Sequence, residues 1–116
     1  MRVAGAVVLT LLLAGCGGST DQAQLADAVA SSAAEGALLA HEVEEGDVTG
    51  AFRRVHAEAL REKLDGQRKS IADERLQRIA AAVSRDLEQL ATGPRDTAAI
   101  ERRLERASKD AEATAQ

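Results

Sequence analysis

The chain has no tryptophan or tyrosine and a single phenylalanine, Phe52. Aromatic platforms for stacking bases or sugars are therefore missing. There is one cysteine, Cys16, so no intrachain disulfide can form and the fold must hold without staples. There is one proline, and no run of alternating apolar and polar residues with clustered β-branched side chains, which excludes a strand-based fold. No glycine-rich phosphate loop occurs. Glu-x-x-His, the spacing a di-iron bundle needs, is absent too. Ser31, Ser32, Ser70, Ser84 and Ser108 carry no nucleophile motif around them. The chain reads as non-enzymatic, with no catalytic residue and no cofactor.

What is present begins with a three-part leader. Met1-Arg2 supplies a short positive start, Val3 to Leu12 is apolar apart from Gly5 and Thr10, and small residues follow. This is the layout of a secretory signal peptide. The apolar run is shorter than the roughly 20 residues that span a bilayer. It closes on Leu13-Ala14-Gly15-Cys16.

Those four residues resemble the lipobox of bacterial lipoproteins at every position, and the resemblance ends with them. It implies cleavage after Gly15 and a diacylglycerol on the Cys16 sulfur, often with a further acyl chain on the new amino group. Two or more acyl chains hold a protein firmly on a membrane, at about 0.8 kcal/mol per buried methylene. The implied location is the extracytoplasmic side of a cell membrane. In a single-membrane cell this is the outer leaflet of the plasma membrane. In a two-membrane cell it can be the outer membrane, because Gly17 stands where an inner-membrane retention aspartate is common.

Residues 1–15 are thus expected to be signal peptide, and residues 16–20 lipidated cysteine plus a short spacer, Gly17-Gly18-Ser19. The rest is about 100 residues, enough for one small domain. Losing Arg2 from 15 basic side chains leaves 14 against 19 acidic ones, about −5. That balance argues against nucleic acid and against a polybasic lipid-binding surface.

The mature chain predicts an all-α fold, a small antiparallel four-helix bundle over residues 21–112, with 113–116 fraying. The first helix, about 21–45, opens with a capping-box spacing at Ser19 and Gln22. Its stripe is Leu25, Val29, Ala33, Leu39, Ala40 and Val43, with Gly36 a soft spot. The second, about 49–65, is capped by Thr49 and stops at Asp65-Gly66. Phe52, Val55, Ala59, Leu60 and Leu64 form its apolar side. The third, about 70–92, starts at Ser70 and carries Ala72, Leu76, Ile79, Val83, Leu87 and Leu90 to Gly93-Pro94. The fourth, about 95–112, uses Thr97, Ile100, Leu104, Ala107 and Ala111. Short loops make successive helices antiparallel. Much of the core is alanine, which buries little area, so stability is expected to be only a few kcal/mol.

His41 and His56 flank the Gly46–Thr49 turn at similar distances, and Glu45 is one turn from His41. That set has the residue types of a zinc site. Both histidines lie off or at the border of the apolar stripes, so the reading is no metal site. Glu101-Arg102-Arg103-Leu104-Glu105-Arg106 reads as a solvated helix face.

An anchor, amphipathic helices and a thin core, with no reactive constellation, suggest an interaction module on the membrane. Its partner would be an envelope protein or a second copy. A structural spacer lipoprotein and a carrier of a small apolar ligand are the alternatives. Against the spacer stand the breaks at Gly46, Gly66 and Gly93-Pro94 and the Ala115-Gln116 end; against the carrier stands the sparse apolar content.

Overall fold

The computed structural model describes residues 21–93 and 95–115 of the 116-residue chain. The leader, the cleavage point after Gly15, Cys16, the spacer, Ser19 and Pro94 lie outside the described residues. Four helices follow in order: α1 Asp21–Glu45, α2 Gly50–Arg68, α3 Glu74–Thr92 and α4 Thr97–Thr114. They form a small all-α bundle; among the described residues there is no strand.

Contacts between helices give the topology. Gln22 near the start of α1 meets the α2–α3 turn. Ser108 on α4 meets Ala30, and Glu101 meets His41, so α1 and α4 run in opposite directions. Asp65 with Ser84 and Arg53 with Ala91 give the same sense for α2–α3, and α3–α4 follows from one groove lined by Ile79 and Asp110 and another lined by Thr92 and Asp96. Each helix is therefore antiparallel to its chain neighbours, and α4 closes back onto α1.

In α1 the inward line is Ala26, Val29, Ala30, Ala33, Ala37 and Ala40, with Leu39 buried beside it and Leu25 and Val43 half-buried. Gly36 is not a soft spot. A Cβ there would stand 2.8 Å from Leu87 Cδ2 and 3.1 Å from Leu104 Cδ1, so the missing side chain is the space those leucines fill. Small residues let the helix backbones approach, and the Ser108 hydroxyl donates to the Ala30 carbonyl at 2.9 Å. Ser19, the expected capping-box partner of Gln22, lies outside the described residues, and Gln22 itself reaches across to another element. Its Nε2 donates to the Ser70 carbonyl at 3.2 Å and its Oε1 accepts from the Ala72 N–H at 3.1 Å, clamping the α2–α3 turn.

The predicted apolar side of α2 is wrong in part. Ala57, Leu60 and Leu64 are buried, but Phe52, Val55 and Ala59 are exposed. The cause is Arg53. It takes the inward position of the first turn and donates to the Leu90 carbonyl and, at 2.9 Å, to the Ala91 carbonyl. These are orphan acceptors at the end of α3, where a cation also complements the helix dipole. With position 53 facing inward, position 52 is turned outward.

The α2 boundaries also differ from the sequence reading. The helix continues through Gly66 to Arg68, although glycine in a helix costs about 1 kcal/mol against alanine. Bonds on both sides of the glycine hold this end: Asp65 accepts from Ser84 of α3 at 2.9 Å and, within the helix, from Arg68 at 3.2 Å. Ser70 to Ala72 are turn, with Ile71 buried as a plug and Ala72 exposed. Asp73, not Ser70, caps α3, accepting from the Arg75 and Leu76 amides at 2.7 and 3.2 Å. Gln77 closes the turn by donating to the Arg68 and Ile71 carbonyls.

Leu76, Ala80, Val83, Leu87 and Leu90 line the core from α3, and Ile79 is half-buried. The helix ends at Gly93, whose φ of 104° suits glycine. Asp96 caps α4 by accepting from Ala99 at 3.0 Å, so that helix starts two residues later than the pattern suggests. Ile100, Leu104 and Ala111 are buried, Ala107 is half-buried, and the helix persists to Thr114.

Candidate functional site: an apolar face and a titratable cluster at one end

The C-terminal half of α1 and the first turns of α2 gather the residues that the core does not use. Leu38, Phe52 and Val55 are 60%, 48% and 63% exposed, the large apolar side chains most open to solvent among the described residues. Thr49 sets this region by accepting from the Phe52 amide at 3.0 Å. Phe52 packs edge-on against His56, ring centroids 5.3 Å apart. His56 in turn lines an open groove of about 240 Å³ with Glu35, Leu38, Leu39 and Glu42. The chain's lone aromatic is therefore a surface residue beside a cleft between two antiparallel helices.

On the α4 side of the same end lies a second cluster. His41 Nδ1 is 3.4 Å from Glu101 Oε2, and His41 Nε2 is 3.6 Å from Glu45 Oε1. Glu44 joins them, so that His41, Glu44 and Glu101 offer three donor atoms within 4.8 Å of one another. The Glu101 carboxyl is held above the ordinary carboxylate range. The hydrogen bond with Glu44 is the main cause, helped by burial and by Glu105, and opposed by His41. Two carboxylates sharing a proton hold it more tightly than one alone.

The structure separates the two histidines that the sequence set side by side. His41 turns to α4 and Glu101, while His56 turns to Phe52 and the α1–α2 groove, so the His41–His56–Glu45 set does not converge. His41, Glu44 and Glu101 replace it as the donors that could hold a cation. His41 and Glu44 are exposed and Glu101 half-buried, and His41 lies between two carboxylates at the surface. Of the serines, Ser84 and Ser108 spend their hydroxyls on Asp65 and the Ala30 carbonyl.

Sequence reasoning placed Phe52 and Val55 in the core. The signal that could have found them outside is the i, i+4, i+7, i+11 line Arg53, Ala57, Leu60, Leu64. It makes an equally good stripe once an arginine is allowed to cap a neighbouring helix. In the 101–106 run, Leu104 is fully buried, and Arg103 reaches Asp86 at 2.9 and 3.1 Å. Asp86 is only 11% exposed at its side chain, so that part of the run clasps α3.

The fold and this face define a small four-helix bundle with an uncovered apolar surface at one end. Comparison with protein-family models, curated proteins and solved structures finds no match for the chain. No described helix is long and apolar enough to cross a membrane.

Proposed function

We propose that the protein is a membrane-tethered, non-enzymatic docking bundle. Lipid on Cys16 holds it at the extracytoplasmic face of the cell membrane, and the Leu38–Phe52–Val55 face engages an envelope protein. The observation that carries the reading is Phe52. A chain with a single aromatic side chain and an alanine-rich core leaves that side chain half in water, against the His56 that lines a groove with the exposed Leu38, and one helical turn from the exposed Val55. Aromatic anchors beside a groove are the usual energetic centre of a protein interface.

The tether rests on the lipobox resemblance of Leu13-Ala14-Gly15-Cys16, and the chain's layout is compatible with it. α1 begins five residues after Cys16, so the lipobox residue is joined to the end of the bundle farthest from the face. Leu38 lies seventeen residues beyond Asp21, about 26 Å along the helix axis. A lipid at one end and a docking face at the other suit reaching a partner that stands off the bilayer.

The test has two arms in cells that carry the full chain. Alkynyl-palmitate labelling with membrane fractionation is expected to label the wild type and find it in membranes. Cys16→Ser should be unlabelled and released. A Cys16→Ser variant still firmly in the membrane fraction would remove the tether. Amine-reactive crosslinking of intact cells should give a discrete heavier adduct that the triple change Leu38→Ser, Phe52→Ser, Val55→Ser abolishes without lowering the melting temperature. Absence of any adduct, or an adduct indifferent to those changes, would remove the docking role.

A further inference from the structure

Resting on that docking reading, we infer that the occupant of the α1–α2 groove is a basic amphipathic helix of another protein. The groove is acidic as well as apolar. Glu35 and Glu42 line it, and no lysine or arginine does. Neither glutamate forms an ion pair among the described residues. Arg53, half-buried in the first turn of α2, is committed to the Leu90 and Ala91 carbonyls. Arg54 sits beside Val55 on α2 but does not line the cleft.

Spacing gives the partner's register. Glu35, Leu38 and Glu42 follow one another at steps of three and four, one ridge of α1 with a carboxylate on each side of an exposed leucine. The two carboxylates are about 10.5 Å apart along the axis. A helix laid in the cleft meets them with two basic residues seven positions apart and an apolar side chain between. The cleft, about 240 Å³, takes one such side chain beside Leu39 and His56. A groove between two helices with alternating apolar and charged anchors is the ordinary receptor for an amphipathic helix.

Other occupants fit less well. A two-fold contact between copies presents the same patch on both sides, setting the Glu35 and Glu42 row against itself. A bilayer surface rich in anionic lipid repels the same carboxylates.

The experiment places a photo-activatable benzophenone amino acid at position 55 of the full chain. After irradiation of native membranes, the crosslinked peptide is identified by mass spectrometry. The expected product is a peptide of another protein with apolar residues at steps of three and four and basic residues seven apart. The double change Glu35→Arg, Glu42→Arg should cut adduct yield about tenfold, as like charges meet across the contact. Asp27→Arg with Glu112→Arg, two exposed acids at the other end, alters net charge equally and should leave the yield within about twofold. A peptide from this chain itself, a lipid adduct, an acidic peptide, or equal loss from both charge reversals would overturn the inference. If the adduct depends on Leu38, Phe52 and Val55 yet carries no basic helix, the docking reading stands and this inference falls. If no adduct forms, both fall.

Discussion

The α1–α4 pair and the α2–α3 pair are held by different means. Between α1 and α4 the contact is made of absence: Ala26, Ala30, Ala33, Ala37 and Ala40 are buried, Gly36 has no side chain, and the Ser108 hydroxyl reaches the Ala30 backbone. Between α2 and α3 the contact is leucine plus polar clamps. Leu60 and Leu64 supply the bulk, while Arg53, Asp65 and Gln77 bond across the elements. Alanine gains little per residue, so α1 depends on leucines donated by its neighbours, above all Leu87 and Leu104 over Gly36. Leu104→Ala should therefore give the largest loss, about 3 kcal/mol in chemical denaturation, because it removes a fully buried side chain and opens a cavity over the glycine. A loss under about 1 kcal/mol would mean that α1 and α4 close the gap by sliding together.

This contrast also explains how far the fold was legible in the sequence. Helix type, helix number and antiparallel order follow from periodicity and short loops, and α3 carries a stripe that only one arrangement satisfies. In α2 two stripes compete, one through Phe52, Val55, Ala59, Leu60 and Leu64 and one through Arg53, Ala57, Leu60 and Leu64, so they differ only in the first half of the helix. Hydropathy alone favours the first. The second wins because Arg53 satisfies carbonyls of another helix, information that no local window holds. Gly36 reads as a weakness for the same reason: its value lies in Leu87 and Leu104, far along the chain. The candidate face was therefore hidden, whereas the His41–Glu45 contact was visible as an i, i+4 spacing.

Two glycines separate packing from propensity. Gly36→Leu should cost about 2 kcal/mol, since its side chain must displace Leu87 or Leu104. Gly66→Ala should stabilise by about 0.5–1 kcal/mol, because a Cβ there meets nothing within 4 Å and the residue is helical. If both glycines behave alike in thermal melts, the close α1–α4 approach is not what limits the fold. The clasp on the other side of α4 is smaller. Asp86→Ala removes the partner of a half-exposed Arg103 that can rehydrate, for an expected loss of about 1 kcal/mol.

The α1–α4 pair should also respond to pH through Glu101. Because the folded state raises the Glu101 pKa, it binds that proton more tightly than the unfolded chain does. The resulting stabilisation is fully present below the ordinary carboxylate value and is lost as pH rises through the raised one. Glu101→Gln keeps a neutral group beside Glu44, so its stability should lack that decline, with the two proteins converging at low pH. A wild type that gains stability over the same acid-to-neutral window, relative to the variant, would show that attraction to His41 outweighs crowding by Glu44 and Glu105.

The smallest effect is the most discriminating, because it sets the two sides of one helix against each other. Leu60 and Phe52 are both large and apolar, and both sit in α2, two turns apart. Leu60→Ala should cost about 2 kcal/mol, less than Leu104→Ala because Leu60 is slightly more exposed. Phe52→Ala should change the unfolding free energy by less than about 0.5 kcal/mol, the range of ordinary surface changes, since its packing amounts to one edge-on contact with His56. An aromatic side chain whose removal leaves the fold indifferent is free to serve a contact outside the fold. Should Phe52→Ala instead destabilise as much as Leu60→Ala, the ring belongs to the core in solution, Arg53 does not hold the inward position, and the docking face loses its central residue.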